Sequence, residues 1–365
     1  MLSSFIFVNL ALGVATLVLL VPFRSASGGL PKLALGVGLG LVAGVVVINE
    51  TTSLLGTSRD SNIRPIVKYL LENADASKSQ LLVVGSSYTG LGVDGSLIER
   101  EMNKKGFRLQ VLELAKPGNF MISQDYTIDY YLARAKKVPE FIFIELGPEY
   151  YNDPGDLGPS YLNTGTAIAD HTVGQLWWRA RSLNAYDATP LEKLTKFWNL
   201  STHVLFHIFD FGMSGQLIAD KDVSANPGFE PEDVAHTPLK ADELSPIRQS
   251  AVPLSLGPLP PHGQFLLAFR RMQVRKLKER GAKVVGFYQT AMTPTGIRVY
   301  GDQVCRELRD VPCITGDDPA IRKQLDHPAL WFDPVHLSHP GAEKYSVWLA
   351  DRLSSSLASF RRASE

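Results

Sequence analysis

Two short stretches, far apart in the chain, carry residue types that could do chemistry together. The first is Leu81-Leu82-Val83-Val84-Gly85-Ser86-Ser87, in which four apolar residues run without a charge into a Gly-Ser-Ser turn. Such a run reads as a buried strand delivering a tight turn. With a helix following from about residues 93–97, Ser87 would lie at the C-terminal edge of a sheet beside a helix N-terminus. Open α/β sheets bind their ligands there, and backbone N–H groups favour a developing negative charge there. The second stretch is Asp333-Pro334-Val335-His336, ahead of a helical pattern from Gly341 to Phe360. In that spacing His336 can take the proton of a serine while Asp333 orients the imidazole, as nucleophilic catalysis requires. Each stretch alone also has a plainer reading: an ordinary turn, and an Asp capping a turn over a packed His.

Together the two stretches resemble the SGNH hydrolase superfamily, also called the GDSL family. Its serine follows the first strand in a Gly-Asp-Ser or Gly-Ser-Ser turn, and its Asp-x-x-His pair precedes the last helix with Leu-Ser-x-x-Gly-Ala after it. Here that ending is Leu337-Ser338-His339-Pro340-Gly341-Ala342. The resemblance spans residues 78–150 and 264–358 and implies a catalytic triad of Ser87, Asp333 and His336, with Ser86 where an Asp is common. It further implies an oxyanion hole from the Ser87 amide and from Gly118 in the second block, with Asn119 adjacent. The family's third block, Gly-x-Asn, is replaced by Gly147-Pro148-Glu149. A carboxylate donates a hydrogen bond only when protonated. The third donor therefore falls to Glu149, to Asn119, Asn152 or Gln289 in its stead, or to backbone amides alone. A Pro-containing third block looks like the branch that works beside membrane-bound O-acyltransferases in teichoic-acid D-alanylation and in alginate or peptidoglycan O-acetylation.

The elements that must hold these residues follow the α/β pattern. After a connecting helix from Pro65 to Asn73, apolar runs predict strands at 79–85, 108–115, 141–147, 283–289 and 311–314. Helices are expected over 97–105, 122–137, 265–280, 299–309 and 341–360. The expected fold is a three-layer α/β sandwich with a mainly parallel sheet, flavodoxin-like in style, in two parts: residues 79–150 and 263–365. Residues 151–262 interrupt the alternation with Trp177-Trp178, Trp198 and a Pro-rich run, and read as an insertion serving as lid, substrate groove or docking surface. Within it His203 and His207 have a metal-like spacing but no third ligand, so they read as an ordinary helix face and no metal or other cofactor is expected. The basic run Arg270-Arg271, Arg275-Lys276 and Lys278 reads as a solvated helix face.

Residues 1–50 precede this and differ in kind. Phe5 to Phe23 carries no charge, and nineteen residues of helix reach about 28 Å, near the thickness of a bilayer's hydrocarbon. Leu33 to Ile48 is a second charge-free run, after the turn-like linker Arg24 to Lys32. The pattern predicts a transmembrane hairpin, with 51–78 as stalk and connecting helix. A cleaved signal peptide would want a positive start, and no Lys or Arg precedes Arg24. Arg24 and Lys32 favour a cytoplasmic linker, which places the long domain outside the inner or plasma membrane, in the periplasm or its equivalent; Arg59, Arg64 and Lys68 pull the other way, although long domains translocate largely regardless of charge. Gly36, Gly40 and Gly44 form a small-residue stripe suited to packing within the hairpin or against a membrane partner.

The 365 residues balance 37 basic against 37 acidic side chains, which argues against a nucleic-acid partner. Two cysteines, Cys305 and Cys313, are too few for a disulfide framework; they can bond to each other in an oxidising compartment or stay as buried thiols. The family resemblance implies an O-acyltransferase that moves an acyl group, acetyl first, through an acyl-serine to a hydroxyl of an envelope polysaccharide or exopolysaccharide. It also implies a membrane-bound O-acyltransferase as partner. The alternatives are an esterase or lipase using water, and a catalytically silent glycan-binding scaffold.

Overall fold

The computed structural model describes residues 64–115, 119, 121–146, 189–191, 261–289, 303–316, 318–333 and 336–362. The expected hairpin, almost all of the 151–262 insertion, His203 and His207 lie outside these residues. Among the described residues no helix is long and apolar enough to cross a membrane. The chain divides into two compact units, one of Met1–Asn62, Pro159–Arg181 and Thr189–Lys221, the other of Ile63–Gly158, Ser182–Ala188 and Asp222–Glu365. Every element described below belongs to the second.

That unit is built on a five-stranded sheet, all parallel, in the order β2-β1-β3-β4-β5. Helix α1 (Arg64–Asn73) leads to β1 (Ser79–Gly85), then come α2 (Ser87–Gly92), α3 (Gly95–Lys104), β2 (Leu109–Ala115), α4 (Met121–Leu132) and β3 (Phe141–Glu145). After the insertion follow α5 (Pro261–Glu279), β4 (Lys283–Tyr288), β5 (Cys313–Thr315), α6 (Pro319–Leu325) and α7 (His339–Arg362).

The strand sequences explain the layering. A parallel sheet covered on both faces needs continuous apolar runs rather than alternation. Leu81, Leu82, Val83 and Val84 are all fully buried, and they divide by parity between two cores. Leu81 and Val83 join Phe143, Phe287 and the inner stripe of α7, where Tyr345, Trp348, Leu349, Leu353 and Leu357 recur at helical spacing. Leu82 and Val84 join Val67 of α1, Ile128 of α4, and Phe269 and Leu277 of α5 on the other face. Truncating one of these central side chains to Ala would cost about 2–5 kcal/mol.

The order 2-1-3-4-5 has a consequence for function. The chain starts in the middle, moves outward to β2, then returns past β1 to β3, so successive crossovers leave opposite faces and a crevice opens between β1 and β3. The stretch carrying Ser87 ends β1, and Glu145 ends β3.

Several local expectations differ from what is observed. The helix expected to start near 93–97 is α3, from Gly95, but a short further helix, α2, precedes it and begins on Ser87 itself. Gly90 and Gly92 are poor helix formers and hide α2, but Ser86 caps it, its hydroxyl accepting from the Tyr88 N–H. Helix α5 starts at Pro261, since proline suits a first helical turn. The basic run on α5 is not a solvated face throughout: Arg270 is 1% exposed, and Lys276 pairs with Asp125 (2.6 Å) and Asp129 (3.2 Å) of α4. The helix needs these cations to meet carboxylates and carbonyls inside the structure. Cys305 and Cys313 are joined as a disulfide, with Cα atoms 5.6 Å apart, tying the helical segment 303–307 to edge strand β5.

Candidate active site

Ser87 is brought to the C-terminal edge of the sheet by three local facts. Strand β1 ends at Gly85, Ser86 is extended (φ −92°, ψ −161°), and α2 begins at once. The chain therefore turns sharply over two residues and carries the Ser87 side chain out of the sheet. Gly85 is required by crowding: a Cβ there would overlap the Thr89 side chain and come within 2.5 Å of Glu145 Oε2.

Asp333 and His336 arrive from the other end of the chain on a short loop. Trp331 and Leu337 form an antiparallel bridge across it, and the Phe332 N–H donates to the His336 carbonyl (2.9 Å). Below the loop Ser338 donates its hydroxyl to the Ala329 carbonyl (2.7 Å) and its N–H to that of Leu330 (3.0 Å). Gly341, in the first turn of α7, lies so close to the Leu330 carbonyl that no Cβ would fit. The Leu-Ser-x-x-Gly-Ala ending is thus a seat for this loop.

The three side chains meet. His336 Nε2 is 2.9 Å from Ser87 Oγ, and His336 Nδ1 is 2.8 Å from Asp333 Oδ2. The other Asp333 oxygen accepts the His336 backbone N–H (2.8 Å). A carboxylate can only accept, so Nδ1 carries the proton and Nε2 turns its lone pair to the serine hydroxyl. Tyr88 lies against one side of the ring (centroids 5.1 Å apart) and Phe332 edge-on at 6.5 Å, fixing its tilt. The His336 side chain keeps 17% of its surface exposed and Asp333 34%, so the pair sits at the surface and is reachable. The arrangement can deprotonate Ser87 as it attacks an electrophilic carbon.

Beneath this triad lies a buried polar layer. The Glu145 carboxylate accepts from the Ser86 N–H (2.7 Å), the Ser86 hydroxyl (2.7 Å) and the Thr89 hydroxyl (2.5 Å). Burial pushes its pKa up, while Thr89, the Ser86 amide and hydroxyl, and the nearby Arg270 guanidinium oppose the rise. Arg270 donates to the Glu145 carbonyl (3.0 Å) and to the side chains of Gln124 (2.9 Å) and Gln273 (2.8 Å). Asn119 is fully buried; its amide donates to the Gly85 carbonyl (3.0 Å) and its oxygen accepts from the Thr127 hydroxyl (3.0 Å). The Asn119 side chain therefore holds the backbone entering the serine turn. Gln289 is 2% exposed and lies against Gly92, at the end of α2 away from Ser87, with no hydrogen-bond partner for its amide among the described residues. Gly118, Glu149 and Asn152 lie outside the described residues.

The amides flanking Ser87 are committed: that of Ser86 to Glu145, and that of Tyr88 to the Ser86 hydroxyl (3.3 Å). The Ser87 N–H has no partner among the described residues. It is the donor this turn leaves for a ligand.

Glu145 and Arg270 were not singled out by motif. The available signal was chemical: an acid closing an uninterrupted apolar central strand must find donors, and the run Ser86-Ser87-Tyr88-Thr89 after another apolar strand offers hydroxyls. Among the described residues no cluster of His, Cys, Asp and Glu could hold a metal ion. Comparison of the chain with family models, curated proteins and solved structures returns no match.

Proposed function

We propose that this chain is a membrane-anchored, extracytoplasmic serine O-acyltransferase of the SGNH type, a three-layer sandwich that moves an acyl group, acetyl first, to a hydroxyl of an envelope polysaccharide. The observation that carries this reading is the continuous line from Ser87 Oγ through His336 to Asp333, standing at the C-terminal edge of a parallel sheet.

His336 Nε2 takes the Ser87 hydroxyl proton as Oγ bonds to the acyl carbonyl carbon. The Asp333 carboxylate stabilises the imidazolium without taking its proton. The Ser87 N–H holds the oxyanion, a term worth about 10²–10³-fold per donor; the family resemblance assigns the second donor to Gly118. As the tetrahedral intermediate collapses, the leaving oxygen departs with the proton from His336, and an acyl ester remains on Ser87. A sugar hydroxyl then gives its proton to His336 and attacks the ester; the new ester forms, and Ser87 recovers its proton. Water in place of the sugar would make the same site an esterase.

The anchor rests on the two charge-free N-terminal runs, and the partner membrane-bound O-acyltransferase on the resemblance of the third block. The Cys305–Cys313 disulfide supports an oxidising compartment.

The test is intact-mass analysis of the detergent-purified chain after incubation with a fluorophosphonate, with Ser87→Ala in parallel. One adduct on the native chain and none on the variant is expected. An unmodified native chain contradicts the reading and favours the silent scaffold.

A further inference from the structure

Glu145 stands out because it bonds to the nucleophile's turn and to nothing a substrate could reach. It is fully buried, yet three donors converge on it, all from Ser86 and Thr89, one on each side of Ser87 in the chain. It belongs to a different strand, β3, which pairs with β1 through Leu81–Phe141 to Val84–Ile144 and so delivers the carboxylate directly beneath the turn. The backbone is shaped to admit it, since Gly85 leaves out the Cβ that would approach Oε2. Its own carbonyl is held in turn by Arg270, which is locked between Gln124 and Gln273.

We propose that Glu145 is the positioning residue of the nucleophile: by capturing the Ser86 amide and hydroxyl and the Thr89 hydroxyl, it sets the start of α2 so that Ser87 Oγ meets His336 Nε2 and the Ser87 N–H is left for the oxyanion. This rests on the acyl-transfer reading above and deepens it. A turn of two residues between strand and helix has competing ways to satisfy its amides. If the Ser86 N–H were free, the turn could roll toward it, and the Ser87 amide and hydroxyl would move together off the line to His336. The carboxylate removes that alternative. It is the one side chain that can accept all three donors at once, because each carboxylate oxygen offers two lone pairs. An amide cannot: in Glu145→Gln the oxygen can serve the Ser86 N–H and the Thr89 hydroxyl, but the NH₂ then takes the place of the oxygen that accepts from the Ser86 hydroxyl, which must turn its proton elsewhere.

The experiment uses the full chain in detergent and measures fluorophosphonate inactivation, separating the maximal rate from the probe concentration at half-saturation. Glu145→Gln should lower the maximal rate by about 10–100-fold, as a misplaced nucleophile does, with half-saturation and melting temperature little changed. Thr89→Val, which keeps the shape and removes one donor, should lose about 3–10-fold, and Thr89→Ser should restore the native rate. Glu113→Gln, another buried glutamate remote from the turn, is the control and should label as the native chain does. A merely structural role for Glu145 would lower the melting temperature and the labelled fraction without splitting rate from half-saturation. A folded Glu145→Gln that labels at the native rate overturns the inference. If Glu145→Gln does not fold, the Thr89 pair decides, and equal rates for Val and Ser overturn it. A native chain that takes no label overturns the acyl-transfer reading and this inference with it, whereas a native chain that labels while the variants match it overturns this inference alone.

Discussion

Two buried glutamates face the same side of the sheet and have opposite surroundings. Glu145, at the crevice between β1 and β3, is fully buried, receives three hydrogen bonds and has Arg270 nearby. Glu113, on edge strand β2 under the start of α3, is 3% exposed and neither of its oxygens closes a hydrogen bond. The Gly95 N–H lies near it but makes no full bond, and Asp94 adds a like charge, so burial and repulsion push its pKa far up. Burial penalises the charged form of both; donors decide whether the charge can be held. The crevice is arranged to keep a carboxylate in use. The edge strand leaves its acid without a donor, so burial and the Asp94 charge work against its ionised form unopposed by any full hydrogen bond.

Substitutions can break this contrast by separating rate from stability. The largest effect is expected at the crevice from Asp333→Asn, which removes the tautomer control over His336 and should lower serine labelling by about 10⁴-fold. The melting temperature should hold, because Asp333 is partly exposed and its loop is closed by backbone bonds. Gly85→Ala should strike both properties: a Cβ forced against Thr89 and Glu145 should destabilise by about 3 kcal/mol and displace the serine, readable by denaturant melts and labelling together. At the opposite edge of the sheet, replacing both Cys305 and Cys313 by Ser opens a loop with sequence separation 8. That should cost about 2–3 kcal/mol while labelling stays native.

The smallest change should be a gain. The folded-state pKa of Glu113 lies above its unfolded value, so its contribution to stability is intact at low pH and is lost as pH rises toward the folded value. Glutamine does not titrate. Glu113→Gln should therefore be the more stable by about 1 kcal/mol or more at neutral pH, and the advantage should vanish below pH 4.5, the ordinary glutamate value. Thermal melts across that range check the sign. A Glu113→Gln that slows labelling would erase the distinction between the two regions.

The chemistry-bearing residues at the surface were legible from type and spacing: Ser87 after an apolar run, and Asp333 three before His336 ahead of a helix. So were the five strands, because a parallel sheet buried on both faces demands the continuous runs seen at 81–84 and 141–144. The supports under the site were not. Arg270 sits in a basic run whose neighbours Arg271 and Arg275 are exposed, and only packing against α4 and the end of β3 distinguishes it. Glu145 closes a strand, where an acid usually marks the way out to solvent. Helix α2 was hidden by its glycines, and α6 by its shortness, although Asp318 caps it and Pro319 opens it. Each depends on a partner distant in sequence, which local pattern does not contain.

The central claim, that an acyl group passes through Ser87, is tested most directly by trapping it. The purified chain would be mixed with an activated aryl acetate, quenched in acid within the first turnover, and digested for peptide mass analysis. The account predicts one acetyl ester on the peptide bearing Ser87, absent in Ser87→Ala, that decays faster when an envelope polysaccharide is added before the quench. Aryl acetate consumed at an equal rate by native chain and Ser87→Ala, with no acetyl on that peptide, would contradict it.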